Sequence, residues 1–197
     1  QLMPDSGYIM LDTHLLSEIS HVHLRKQLMV ITDDERPIGV CIRDYLNADS
    51  EADLQMALSQ SGFLSIASTL PQGLDTILTA HTLSPTQYYH LLLAKCVVMK
   101  PKVIVIDGCL SRFNHILQDT FFDCIASVKA TTFLLSNRLK ELDKFDHLLI
   151  LENGKVKTTI TKDKMTIEAV KIFPSTFQSD VWHSLQTAYI TETVKVH

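Results

Sequence analysis

Glycine is scarce in this 197-residue chain, with six in all and none of them grouped. That excludes a GxxxxGK[ST] loop from these residues, the arrangement whose backbone N–H groups and lysine cradle phosphates. Proline is equally sparse at six, and there are no internal repeats or low-complexity runs. Neither sign of charge dominates: the net charge is -4 with 20% charged residues, which gives no electrostatic case for nucleic acid or an anionic membrane surface. Long apolar runs are absent too. Stretches such as 91–94 and 103–106 fall far short of the ~20 residues that span a bilayer, so direct membrane insertion is not expected. The opening "QLMPDSGYIM" lacks the basic start and apolar block of a secretory signal. It also lacks a starting methionine, and the expectation is a piece of something longer.

Cysteine is limited to Cys41, Cys96, Cys109 and Cys124, at no metal-binding spacing and inside apolar segments. They read as buried thiols in a reducing cytosol. The nine histidines are scattered; His21 and His23 are two apart and face differently on a helix, which disfavours a metal site.

What is present is an alternation of strand and helix signals. A strand is expected over 7–11 after the turn "PDSG", a helix near 21–27 and a short strand at 28–31. Residues 38–46 and 51–60 carry helical spacing. "LPQGLDTIL" is a loop entering a short element. Ser84 followed by Pro85 is an N-cap and first-turn proline, opening a helix that runs to about Met99 and stops at Lys100-Pro101. The β-branched run 103–106 reads as a strand buried on both faces of a parallel sheet. A helix over 114–128, a strand over 131–136, a short helix over 138–142 and a strand over 146–152 follow. Asn153-Gly154 then supplies a hairpin turn. Beyond about 160 the pattern changes to a helix near 163–172, Pro174, and a tail with the only tryptophan, Trp182. The alternation indicates an α/β fold with a mainly parallel core.

Five segments, in order, resemble the nucleotide-binding domain of ABC transporters, and within that family the exporters, including toxin- and peptide-secretion types. "PDSGYIMLD" (4–12) is similar to the stretch after the first P-loop helix, and "LPQGLDT" (70–76) to the exporter segment leading into the signature. "LSPTQ" (83–87) stands where the family carries LSGGQ. Asp107 follows Gln87 by 20 residues, the family's separation between the signature glutamine and the Walker B aspartate. "NRLKELDKFDHLLILENGKV" (137–156) is similar to the segment opened by the switch histidine. The resemblance implies a P-loop-NTPase-like cassette over 1–157, with a helical signature subdomain at about 38–99. Residues 158–197 form a C-terminal appendage of unknown role.

The resemblance also implies which groups carry the chemistry, and most are replaced. Asp107 is retained at the magnesium position, while Gly108 stands where active members have the glutamate that polarises water. Asn137 replaces the switch histidine, Asp33 occupies the Q-loop glutamine position, and Asn114 that of the D-loop aspartate. In the signature, Ser84 and Gln87 remain, but Pro85 and Thr86 replace both glycines, deleting one N–H donor and adding a side chain where close approach is needed. Bland alternatives stand beside each of these. Asp107 also reads as a carboxylate capping a loop after a buried strand, and Ser84 as a plain N-cap. Tyr88, Tyr89 and His90 read as surface or packing residues, or else as an interface. Asp33 and Asp34 read as a solvated loop sooner than as an acidic metal pair.

The expectation is therefore a catalytically silent cassette that serves as the interaction half of an export system. It would pair with a second cassette, identical or different, and dock on a transmembrane domain through the surface around 33–46, at the cytoplasmic face of the membrane. No cofactor is expected for the isolated chain. The alternative is the C-terminal part of an ATP-binding exporter subunit whose P-loop lies upstream, which binds ATP and magnesium and hydrolyses weakly. A remoter third reading is a soluble α/β protein reusing a cassette remnant without a transporter.

Overall fold

Two short strands, β1 (Met10–Leu11) and β2 (His14–Leu15), pair antiparallel around Asp12 at φ 54. This computed structural model describes residues 4–32, 36–108, 113–136, 144–164 and 185–191. The strand expected over 7–11 is thus cut to two residues, because only this small hairpin partners it, and Tyr8 and Ile9 stay exposed. Helix α1 (His21–Gln27), capped by Ser20 through the N–H of His23, runs straight into β3 (Leu28–Ile31).

A helical layer follows: α2 (Ile42–Leu46), α3 (Glu51–Gln60), α4 (Phe63–Ala67) and α5 (Pro85–Met99). The helix expected over 38–46 begins only at Ile42. Pro37 and Gly39, the latter at φ 80, keep the approach non-helical, and the Cys41 Sγ accepts the Asp44 N–H as the cap. α5 has the bounds its sequence signals, ending at Lys100 in the left-handed region just before Pro101.

The remaining elements are β4 (Val103–Asp107), α6 (His115–Val128), β5 (Thr131–Ser136), β6 (His147–Glu152), β7 (Lys155–Thr161) and β8 (Leu185–Thr191). The main sheet has the order β3-β4-β5-β8-β6-β7. β3, β4 and β5 are parallel, giving the α/β core that was expected. The turn between β6 and β7 has positive φ at both Asn153 and Gly154 (51 and 75), the pair a tight hairpin requires. β8 is a departure from expectation. It comes from the stretch read as an appendage, yet it lies between β5 and β6 and is antiparallel to both. The expected helix over 138–142, most of that over 163–172, and Trp182 lie outside the described residues.

The core is one continuous cluster between the helices and the sheet. Leu91, Leu92, Ala94, Cys96 and Val97 of α5 are all buried in it, with Ile104 and Ile106 of β4 and Leu134 of β5. Full burial of a Leu or Ile contributes ~1.5–3 kcal/mol, so this α5 stripe alone outweighs any surface ion pair here. Tyr89, Phe113, Phe121, Phe122 and Phe145 form a chain of edge-to-face rings, with centroids 4.6 to 6.1 Å apart, that ties α5 to α6 and to the approach of β6. Among the described residues no helix is long and apolar enough to cross a membrane.

Candidate functional site

The start of α5 and the end of β4 carry the residues singled out by the resemblance. Ser84 has extended backbone angles, and its Oγ accepts the N–H of Gln87 at 3.3 Å. Gln87 reciprocates, its Oε1 accepting the Ser84 N–H at 2.9 Å. This is a complete capping box, with Pro85 at the first helical position lacking an N–H that would have been an orphan in any case. Each side-chain oxygen thus accepts one backbone N–H of the first turn. Thr86 projects from the exposed first turn.

β4 lies between β3 and β5, and Asp107 ends it, exposed and opposite Leu135. The C-terminal end of a parallel strand is where open α/β sheets bind ligands. Gly108 follows at φ 69, a backbone conformation that disfavours any other residue, and no heavy atom lies within 4 Å of where its Cβ would be. Asn114 is the N-cap of α6, its Oδ1 accepting the Leu117 N–H at 2.8 Å. Asp33 and Asn137 lie outside the described residues, as do Asp34 and Cys109.

Tyr88 and Tyr89 are buried packing residues, at 5% and 4% exposure, which decides against a free surface role for their rings. His90 turns inward as well, its Nδ1 lying 2.6 Å from the Ser61 carbonyl, so that nitrogen carries the proton and donates. His21 and His23 are exposed on α1, and no group of three metal-ligating side chains exists among the described residues.

One feature lay outside the expectations. A half-open cavity of about 750 Å³ separates the outer edge of β3 from α2 and α5. Lys95 and Arg36 line it together with Tyr45 and Tyr88. Lys95 Nζ donates to the Leu46 carbonyl at 2.9 Å and sits over the Tyr45 ring, and partial burial lowers its pKa. Arg36 donates to the Leu83 carbonyl at 3.2 Å and stacks on Tyr88. Burial, and then the neighbouring Tyr88, raises the pKa of the Tyr45 phenol. The signal in the sequence was Lys95 itself, a lone cation in the apolar run "LLLAKCVV".

With this geometry in view, comparison with known proteins is informative. No protein-family model matches the chain. Among solved structures it is similar to a bacterial Atm1-family ABC exporter with ATP bound, with a TM-score of 0.75 and 18% identity, over 91% of this chain and 33% of that one. The fold is that of an ABC cassette. The curated relatives are ATP-binding and export proteins of ABC transporters. One is the uncharacterized ABC transporter ATP-binding protein YfiB of Bacillus subtilis, 24% identical over 172 residues, covering 84% of this chain and 30% of that protein. Another is the ATP-dependent lipid A-core flippase of Acinetobacter baylyi, 24% identical over 162 residues, covering 77% and 28%. A third is the cyclolysin secretion/processing ATP-binding protein CyaB of Bordetella pertussis, also 24% identical over 162 residues, covering 77% and 22%. The chain thus spans under a third of the length of these relatives.

In cassette terms, the structure places Ser84 and Gln87 at a helix start and Asp107 at a strand end, with a glycine next to it. The signature's side-chain oxygens and the Ser84 N–H are already paired within the capping box. Among the described residues no group of three metal-ligating side chains includes Asp107. No general base follows it, because Gly108 has no side chain.

Proposed function

We propose that this chain is a catalytically silent ABC cassette, acting as an interaction half of an export system without turning over ATP itself. The observation that carries this reading is the start of α5, where Pro85 has no N–H and the Ser84 N–H is taken by Gln87 Oε1, so these backbone donors of the signature loop are lost to a phosphate. The glycine at 108 supports it, since the position of the water-activating carboxylate is a left-handed turn. In this reading a second cassette and a transmembrane domain are the partners, and the chain works at the cytoplasmic face of the membrane. The exporter names of its relatives support that assignment.

A second reading has an observation of its own. Asp107 keeps its place at the C-terminal end of β4, exposed and flanked by two parallel strands, where a magnesium-linked phosphate would be met. In that reading a P-loop upstream of these residues completes the site, and ATP is bound and weakly hydrolysed.

Titration with a fluorescent ATP analogue and magnesium, carried out on the chain together with the residues encoded before Gln1, separates the two. The silent cassette gives weak or no binding and no phosphate release; saturable binding in the low micromolar range overturns it in favour of the second reading.

A further inference from the structure

The outer edge of β3 has unpaired backbone groups. In the β4–β5 ladder the Lys102 carbonyl accepts the Thr131 N–H, so the even-numbered residues of β4 face β5 and the odd-numbered ones face β3. In the slanted parallel register Val105 therefore bonds to Met29 and Ile31, which leaves the backbones of Leu28, Val30 and Thr32 pointing away from the sheet. The Leu28 N–H is taken by the Leu24 carbonyl at the end of α1. The Leu28 carbonyl, both groups of Val30 and the Thr32 N–H have no partner among the described residues. Val30 is 53% exposed.

These same residues form one wall of the 750 Å³ cavity. Its opposite wall presents Leu92 and Met99 as apolar surface, and Lys95 and Arg36 as cations with donors to spare and no carboxylate partner among the described residues. A row of free N–H and C=O groups beside an apolar hollow is the arrangement that accepts an added strand. A docked helix satisfies its own backbone and leaves these groups unpaired.

We propose that β3 is a strand-acceptor edge for an extended segment of a partner protein that carries an apolar side chain and, two residues away on the same face, a carboxylate that meets Lys95 and Arg36. The segment's backbone pairs with Val30 and its neighbours, and one apolar side chain enters the hollow formed by Leu92 and Met99. This surface stands whichever nucleotide reading holds.

The test uses the whole chain and three fluorescein-labelled, end-capped pentapeptides, Thr-Glu-Thr-Val-Thr and the forms with Gln or Lys in place of Glu, followed by fluorescence anisotropy. Glu and Val then share one face of the strand. Saturable binding in the order Glu, Gln, Lys is expected. A Glu peptide N-methylated on its backbone should bind about tenfold more weakly or worse, the equivalent of one or two lost backbone hydrogen bonds. Val30→Pro should do the same, since proline removes only an outward N–H and is tolerated on an edge strand. Lys95→Met should erase the preference for the Glu form, which keeps the proposal testable if the proline variant does not fold. Absence of saturable binding by any of the three peptides overturns the proposal. So does equal affinity of the N-methylated peptide, or helical circular dichroism in the bound peptide.

Discussion

Introducing the missing carboxylate is the sharpest test of the silent cassette, and Gly108→Glu sets two opposed magnitudes against each other. A positioned general base contributes ~10²- to 10⁴-fold in rate, but only when the phosphoryl group and water are held in place. In the silent reading this chain holds neither. The cost is local and follows from the backbone. Gly108 is at φ 69, where a residue with a Cβ loses ~1–2 kcal/mol, and nothing within 4 Å adds a clash. For a chain of this size each kcal/mol moves the Tm by ~2–4 °C, so Gly108→Glu should melt ~2–8 °C lower. Gly108→Ala should show most of the same loss, because the strain belongs to the backbone. Phosphate release from magnesium-ATP should stay at background in both variants, with scanning calorimetry reporting the melting shift. Magnesium-dependent turnover in Gly108→Glu that disappears when Asp107→Asn is added refutes the silent assignment. A Gly108→Ala variant as stable as the parent refutes the strain estimate.

Ser84→Ala and Gln87→Ala should each destabilise by ~0.5–2 kcal/mol in urea titrations, and the double variant by less than the sum, because the two side chains form one cap. A chain ended after residue 184 loses β8 and leaves β5 and β6 with unpaired inner edges. It should lose hydrogen-exchange protection in both strands and self-associate in light scattering. Burial pushes the Cys96 thiol up to about 12 and the Cys124 thiol up to about 11, so in the native chain a thiol reagent at neutral pH should label Cys41 well before either. Both folded-state values lie above the ordinary thiol value, so this stability contribution is complete below it and is lost as pH rises. The Tm should therefore fall progressively from about pH 9 toward 11 and 12, with the raised Tyr45 phenol acting in the same direction.

The elements that local chemistry dictates were legible in the sequence. α5 could be bounded from Ser84-Pro85 at one end and Lys100-Pro101 at the other, and β5 from its β-branched and apolar run, because capping and burial act within a few residues. β8 was not legible. "LQTAYIT" is interrupted by polar residues without a regular period, unlike the near-continuous apolar runs of β4 and β6 beside which a central strand is usually recognised. Only pairing with strands distant in the chain, at Phe133 and Leu149, places it. The acceptor edge of β3 was invisible for a similar reason. Backbone direction is set by the register with β4, some 75 residues away in sequence, and composition carries no trace of it.

In the silent reading, the frame of a nucleotide cassette outlasts its chemistry for a physical reason. Signature glycines contribute to ligand approach and nothing to the core, so replacing them with Pro85 and Thr86 leaves α5 intact. Proline is even favoured at the first helical turn, and the Ser84–Gln87 pair closes the cap without help from a ligand. Leu91, Leu92, Ala94, Cys96 and Val97, by contrast, are held to the sheet and its flanking helices, where truncating a buried leucine to alanine costs ~2–5 kcal/mol. Selection for a docking body alone preserves the second set and leaves the first free to drift. The same logic puts the remaining constraint on surfaces that a partner touches, and Lys95 fits it: a half-buried cation in an apolar helix, it closes the Leu46 carbonyl and still has donors left for a group that reaches it from outside.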